Sequence, residues 1–230
     1  MTVKAIIFDK DGTLFDFQAT WGAWAAGFLA RLSEGDTALF GALADAIGYD
    51  SETRRFDRHS VAIAGSQGEV ADALMPYLSG IVRSDLVARM DHEAVHVPLA
   101  PSVALVPYLS GLSARGLALG VVTNDAEIPA RAHLQASGVL EAFGVVLGYD
   151  SGFGAKPAPG PILEAVRRLG AMPEQAVMVG DSTHDLVAGR AAGLRTVGVL
   201  TGPADADDLA PHADVVMPDI GHLPEWLDRH

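Results

Sequence analysis

The sequence predicts an α/β fold in two parts: a parallel sheet that carries helices on both faces, and an inserted segment that is all helical. After Pro101, short runs rich in β-branched residues alternate with helical stretches, and this alternation is typical of a parallel sheet. Between residues 17 and 96 the apolar residues recur instead at helical spacing. These two sequence patterns, the alternation of strands and helices and the helical spacing of apolar residues, predict the fold class.

The first predicted strand covers residues 3–9, VKAIIFD, a short apolar run that ends in a carboxylate. A continuous run of this kind is typical of a strand buried on both faces. It has no partner nearby in the chain, so we expect it to join the sheet of the later strands. Those strands are predicted at residues 117–123, 143–149, 176–180, 196–200 and 213–217.

The inserted segment shows amphipathic helical patterns. Apolar side chains from Trp21 to Leu32 fall on one helix face, and Gly48 is placed as a helix stop. Pro98 and Pro101 close the segment. We therefore expect a Rossmann-like core formed by residues 1–16 and 97–230 and a helical cap formed by residues 17–96.

Composition narrows the classes of partner. The formal net charge is −13 and the pI about 4.8, which disfavours a nucleic-acid surface, because phosphate backbones require clustered Lys and Arg. The chain has no cysteine and therefore no disulfide, thiolate nucleophile or Cys-ligated metal. The apolar run at residues 5–8 is too short for a signal segment or a membrane span. We expect a cytoplasmic protein, a monomer or weak dimer, that binds a small molecule and no membrane.

Polar residues follow the predicted strands at the point where each strand ends. In an open parallel sheet these ends lie at one edge, and ligands bind beyond it. The first strand is followed by Asp9, Lys10, Asp11, Gly12 and Thr13, the second by Thr123, Asn124 and Asp125, the third by Lys156, and the fourth by Asp181 through Asp185.

Each group also has a purely structural interpretation. Asp11-Gly12 is a hairpin-turn signal, and D-x-D opens calcium loops, although such loops carry glycine at position 6 and here it comes fourth. Thr123, Asn124 and Asp125 are good helix N-caps. Asp185 has capping-box spacing from Ser182, which alone favours a structural role.

Lys156 favours an anion at this edge. A cation just before a helix opposes the helix dipole unless an anion lies beside it. Carboxylates at Asp9 and Asp181 would share a hard cation such as Mg²⁺, which also offsets the repulsion between Asp9 and Asp11. Phosphoryl transfer suits this set: Lys156, the Thr123 hydroxyl and main-chain N–H groups near Gly12 and Asn124 would hold phosphate oxygens.

The segments DKDGTLFD, VVTND, AKPAP and GDSTHDLVAGRAAG, in this order, resemble the four motifs of the haloacid dehalogenase superfamily. The inserted segment resembles the cap domain of its phosphoglycolate phosphatase-like and β-phosphoglucomutase-like branch, a cap that closes over the site. The resemblance implies that Asp9 is a nucleophile forming an aspartyl-phosphate and that Asp11 is the general acid and base. It also implies that Thr123 and Lys156 bind the phosphoryl group. Mg²⁺ would be held by Asp9, Asp181 and the main-chain carbonyl of Asp11, with Asp185 outside these ligands.

An aspartate at position 11 favours a phosphatase or mutase, since related dehalogenases have tyrosine there. Three hypotheses stay open: a Mg²⁺-dependent phosphatase of a small phosphoglycolate-like monoester, a phosphomutase of the β-phosphoglucomutase type, and a phosphate-binding regulatory module without turnover. The basic cluster that contains Arg55 and Arg58 could contact an acidic leaving group or could be a solvated helix face.

Overall fold

The computed structural model describes residues 2–57, 60–64, 67–95 and 97–229. The predicted site residue Arg58 lies outside these ranges. The strands are β1 (Ala5–Phe8), β2 (Tyr49–Asp50), β3 (Arg55–Phe56), β4 (Ala118–Val122), β5 (Val145–Leu147), β6 (Ala176–Gly180), β7 (Arg195–Val199) and β8 (Val215–Met217).

The helices within these ranges are α1 (Phe17–Ser33), α2 (Thr37–Ala46), α3 (Val61–Ala64), α4 (Gln67–Leu74), α5 (Arg83–Ala94), α6 (Leu105–Ala114), α7 (Glu127–Ala136), α8 (Gly160–Arg168), α9 (Thr183–Ala191), α10 (Ala206–Leu209) and α11 (Leu223–Leu227).

Six strands form one parallel sheet in the order β5-β4-β1-β6-β7-β8. The first strand of the chain lies inside the sheet, and its Phe8 is in register with Val121 on one side and Val179 on the other. The predicted α/β Rossmann-like core is confirmed. The hairpin interpretation of Asp11-Gly12 is wrong, because both sheet partners of β1 are parallel strands distant in sequence.

Strand β1 is apolar throughout because both of its faces are covered. All four of its residues are fully buried. Ile6 and Phe8 belong to a cluster that contains residues of α6, α7 and α11, whereas Ala5 and Ile7 belong to a second cluster with residues of α8 and α9. Successive strand residues point to opposite faces, so each helix layer receives two side chains from β1.

The chain divides into two compact units. The core unit comprises Met1–Asp16 and Leu99–His230, and the inserted unit comprises Phe17–Pro98, so the second boundary lies two residues beyond the one expected from the sequence. Hydrogen bonds within the core unit join the two segments that flank the insertion: Asp16 N donates to Ala100 O at 2.8 Å, and Ser102 N donates to Leu14 O at 3.0 Å.

The inserted unit has its own apolar core, in which the Trp24 and Phe28 rings stack at 4.8 Å. It is largely helical, but the expectation that it is all helical needs one correction, since β2 and β3 pair antiparallel. Their turn is fixed by the Asp50 carboxylate, which accepts from Glu52 N at 2.8 Å, and by Arg54 at φ 57°. Within the described residues, no helix is long and apolar enough to cross a membrane.

Candidate active site

Three strands of the core unit end in polar residues at one edge of the sheet. β1 is followed by Asp9, β4 by Thr123 and β6 by Asp181. The register continues past β1, because Asp9 N donates to Val179 O at 2.9 Å. All three residues are buried. The parallel pairing of β4, β1 and β6 therefore brings these distant parts of the chain together.

Lys156 reaches the same edge from the loop between β5 and α8. Asn124 holds its main chain, with the side-chain amide donating to Lys156 O and accepting from Lys156 N, both at 2.9 Å. The buried ammonium lies 2.5 Å from Asp9 Oδ1 and 2.6 Å from Asp185 Oδ1, and donates to Val122 O at 2.8 Å. The anions next to Lys156 in the folded chain are thus two carboxylates.

Three carboxylates lie together around this ammonium. One oxygen from each of Asp9, Asp181 and Asp185 falls within a group whose members are no more than 4.8 Å apart. Burial raises the pKa of Asp9 to about 7, with Asp185 and Asp11 adding to the shift and Lys156 opposing it. Burial and the neighbouring carboxylates also raise the pKa of Asp181 well above its usual range. One ammonium therefore offsets only part of the negative charge.

Asp185 is occupied on both of its oxygens. Oδ1 faces Lys156, while Oδ2 accepts from Ser182 N at 3.0 Å and from the Ser182 hydroxyl at 2.7 Å. Ser182 in turn caps α9, which gives the reciprocal capping box that the spacing predicted. A carboxylate held in this way is suited to orient Lys156.

Two positions in close contact with the Asp181 side chain require glycine. Gly12 has φ 79°, and a Cβ there or at Gly202 would collide with the Asp181 carboxylate. The N–H of Gly12 donates to Phe15 O at 2.7 Å, which shapes the loop, and the contact of Gly12 with a phosphate stays a prediction. The Thr201 hydroxyl supports the loop from the other side by donating to Gly12 O at 2.6 Å.

The side chain of Asp11 contacts Lys10. Its Oδ2 lies 2.5 Å from the ammonium of Lys10, which is fully buried. Sequence reasoning did not single out Lys10, Thr201 or Gly202. The signal for Lys10 was weak because a lysine between two aspartates is usually a solvent-exposed counter-ion.

The remaining predicted residues lie as follows. The Thr123 hydroxyl oxygen accepts from Asp125 N at 3.1 Å, which leaves its proton for another acceptor. The side chain of Asn124 forms hydrogen bonds with the main chain of Lys156. Arg55 is an exposed residue of β3 in the inserted unit, and its contact with an acidic leaving group stays a prediction, as does that of Arg58.

The residues of this site fit a hard divalent cation. The donors are carboxylate oxygens, without cysteine in the chain, and oxygen is the donor that Mg²⁺ prefers. Burial, together with the neighbouring carboxylates, raises the pKa of Asp9 and of Asp181, so their charged forms need a counter-charge. A cation beside these two carboxylates would supply it.

Comparison with known proteins identifies the family of this chain. The family model of the haloacid dehalogenase-like hydrolases matches residues 3–193. The chain belongs to this family.

Two relatives carry more specific names. A phosphoglycolate phosphatase of Neisseria meningitidis is 33% identical over 99% of this chain and 93% of its own length. A phosphoglycolate phosphatase of Escherichia coli is 38% identical over 50% of this chain and 46% of its own length.

Solved structures share the fold at low sequence identity. A proposed β-phosphoglucomutase from Thermotoga maritima has a TM-score of 0.75 at 20% identity, with 99% of each chain covered. A haloacid dehalogenase family hydrolase from Deinococcus radiodurans, solved with phosphate and sodium bound, has a TM-score of 0.71 at 21% identity, covering 99% of this chain and 96% of its own.

Proposed function

We propose that this chain is a Mg²⁺-dependent phosphatase of small phosphate monoesters, with phosphoglycolate as its first candidate substrate. The observation that carries the proposal is the contact of the Lys156 ammonium with the buried Asp9 carboxylate, 2.5 Å from Oδ1, beside Asp181 and Asp185. A carboxylate next to a fixed cation can attack phosphorus while the cation stabilises the charge that develops on the phosphate oxygens.

In the proposed reaction, an oxygen of Asp9 attacks the phosphorus and the bond to the leaving oxygen breaks. Asp11 gives a proton to that leaving oxygen, and in the second half it takes a proton from the water that attacks the aspartyl-phosphate. Lys156 and the Thr123 hydroxyl hold the phosphoryl oxygens through both displacements. Two displacements replace one slow hydrolysis of a very stable ester.

Asp9, Asp181 and the main-chain carbonyl of Asp11 would hold the cation. When bound, Mg²⁺ supplies charge stabilisation for the transferring group. Asp185 keeps Lys156 in place, since its own oxygens are bonded to Lys156 and Ser182.

The name of the Neisseria relative supports phosphoglycolate as substrate, because the alignment covers nearly the whole of both chains. The predicted contacts of Arg55 and Arg58 with the carboxylate of such a substrate belong to the same proposal. The phosphomutase and regulatory-module hypotheses have no observation here that favours them over hydrolysis, and they remain as outcomes of the test.

The test is a phosphate-ester screen that includes phosphoglycolate, run with Mg²⁺ and again with EDTA. We expect release of inorganic phosphate that requires the metal and that disappears in Asp9→Asn. The matched control is Asp228→Asn, the same chemical change at an exposed aspartate, which should retain wild-type rates. Isomer formation without free phosphate would favour the mutase, and hydrolysis retained by Asp9→Asn would overturn the assignment of the nucleophile.

A further inference from the structure

The loop that follows β7 contacts the loop that follows β1. The N–H of Leu200 donates to Met217 O at 3.0 Å, so the pairing of β7 with β8 continues for one residue and fixes the start of this loop. The hydroxyl of the next residue, Thr201, donates to Gly12 O at 2.6 Å, across 189 positions of the sequence. A threonine hydroxyl in a loop more often bonds to main-chain groups near it in sequence. This long-range hydrogen bond instead joins two loops at the same edge of the sheet.

Gly12 is held through both of its main-chain polar groups. Its N–H donates to Phe15 O at 2.7 Å, and its carbonyl accepts from the Thr201 hydroxyl. The peptide bond between Asp11 and Gly12 is trans, so the carbonyl of Asp11 lies in the plane of this N–H and points in the opposite direction. The two hydrogen bonds therefore fix the orientation of the Asp11 carbonyl, which is one of the proposed ligands of the cation.

The same two loops enclose the Asp181 carboxylate, another proposed ligand. A Cβ at Gly12 or at Gly202 would collide with Asp181 Oδ2, so the main chain of both loops lies directly against this oxygen. The Thr13 hydroxyl donates to Asp181 Oδ1 at 3.4 Å. Because the Thr201 hydroxyl ties one loop to the other, it also determines the space in which the Asp181 carboxylate lies.

We propose that Thr201 is a positioning residue for the cation, and that its hydrogen bond to Gly12 O holds the Asp11 carbonyl and the Asp181 carboxylate in place as oxygen ligands. This inference rests on the proposed phosphatase function, in which these two groups and Asp9 hold Mg²⁺. Thr201 acts through Gly12 and is not itself a ligand. Groups that orient metal ligands typically contribute about 10- to 100-fold to metal affinity.

The test measures Mg²⁺ binding directly, by isothermal titration calorimetry without substrate. Thr201→Val keeps the shape of the side chain and removes the hydroxyl, and we expect its dissociation constant for Mg²⁺ to rise by about 10-fold or more. Thr201→Ser keeps the hydroxyl and should retain the affinity of the wild type. Thr201→Ala also removes the hydroxyl and should match Thr201→Val, and it decides the question if Thr201→Val does not fold by circular dichroism.

The matched control is Thr196→Val, the same chemical change within β7. The Thr196 hydroxyl also donates to a main-chain carbonyl, that of His212, at 2.9 Å. Thr196 is the second residue of β7, however, and so lies toward the opposite end of the strand from Thr201. This variant loses a comparable hydrogen bond and should leave the dissociation constant for Mg²⁺ unchanged. The comparison separates a general loss of stability from the loss of a positioned ligand.

Three results would overturn the inference and leave the phosphatase proposal intact: wild-type affinity in Thr201→Val, an equal loss of affinity in Thr196→Val, or an equal loss in Thr201→Ser. A wild-type protein that binds no Mg²⁺, or that releases phosphate equally well in EDTA, would overturn the proposed metal dependence and this inference with it.

Discussion

Replacing Lys156 by methionine should strongly destabilise the metal-free protein. The ammonium contacts Asp9 and Asp185 and donates to the Val122 carbonyl, with only 2% of its side chain exposed. Burial alone opposes the charged form of Lys156, but the two carboxylates outweigh burial and raise its pKa. Methionine fills similar space and removes the charge, so the effect reports the ion pairs rather than packing.

The expected loss is about 4 kcal/mol in the free energy of unfolding. Removing one partner of a buried ion pair costs about 3–5 kcal/mol, because the remaining charge is left buried without compensation. The Val122 carbonyl also loses its donor from Lys156, which adds to the cost. With an m-value of about 2 kcal/mol/M, the urea midpoint should fall by about 2 M.

The assay is urea unfolding followed by far-ultraviolet circular dichroism, in EDTA so that no cation replaces the ammonium. The double variant Lys156→Met, Asp185→Asn removes one charge of each sign and should recover about 1–3 kcal/mol of the loss. Lys4→Met is the control for removal of an exposed lysine. A loss below about 1 kcal/mol for Lys156→Met would refute the reasoning, because the ammonium would then not be holding buried carboxylates.

Two further predictions concern the loops around Asp181 and Asp185. Gly202→Ala places a Cβ against the Asp181 carboxylate, so the Mg²⁺ concentration for half-maximal phosphatase activity should rise by about 10-fold or more, and an unchanged value would contradict a ligand role for Asp181. Ser182→Ala removes the cap of α9, so the free energy of unfolding should fall by about 1 kcal/mol in urea titrations. An unchanged free energy of unfolding would contradict a stabilising role of the capping box.

The strands could be predicted because their sequence signal is local. Runs of β-branched residues predicted each sheet strand of the core, and observed ends differ from predicted ones by a few residues at most, as at 143–149 against Val145–Leu147. The order β5-β4-β1-β6-β7-β8 depends on packing between distant segments, which no local pattern encodes. β2 and β3 were missed because two residues each are too few to show alternation.

The edge of the sheet could be predicted because it follows from parallel pairing. Asp9, Thr123 and Asp181 each come directly after a strand, so the topology itself brings them near one another. His133 could not be found in this way, because it lies within a helix and its contact with Lys10 is visible in the coordinates but not in the sequence. Position 202 requires glycine because a Cβ there would collide with the Asp181 carboxylate, and this close contact is visible only in the coordinates.

The hydrogen bonds that join residues 14–16 to residues 100–102 determine which changes in the insertion the core unit can tolerate. Both ends of the insertion are anchored inside the core unit, at a stem that is closed by main-chain hydrogen bonds. A change in the length of the insertion would therefore leave the spacing of the loop after Asp9 unchanged.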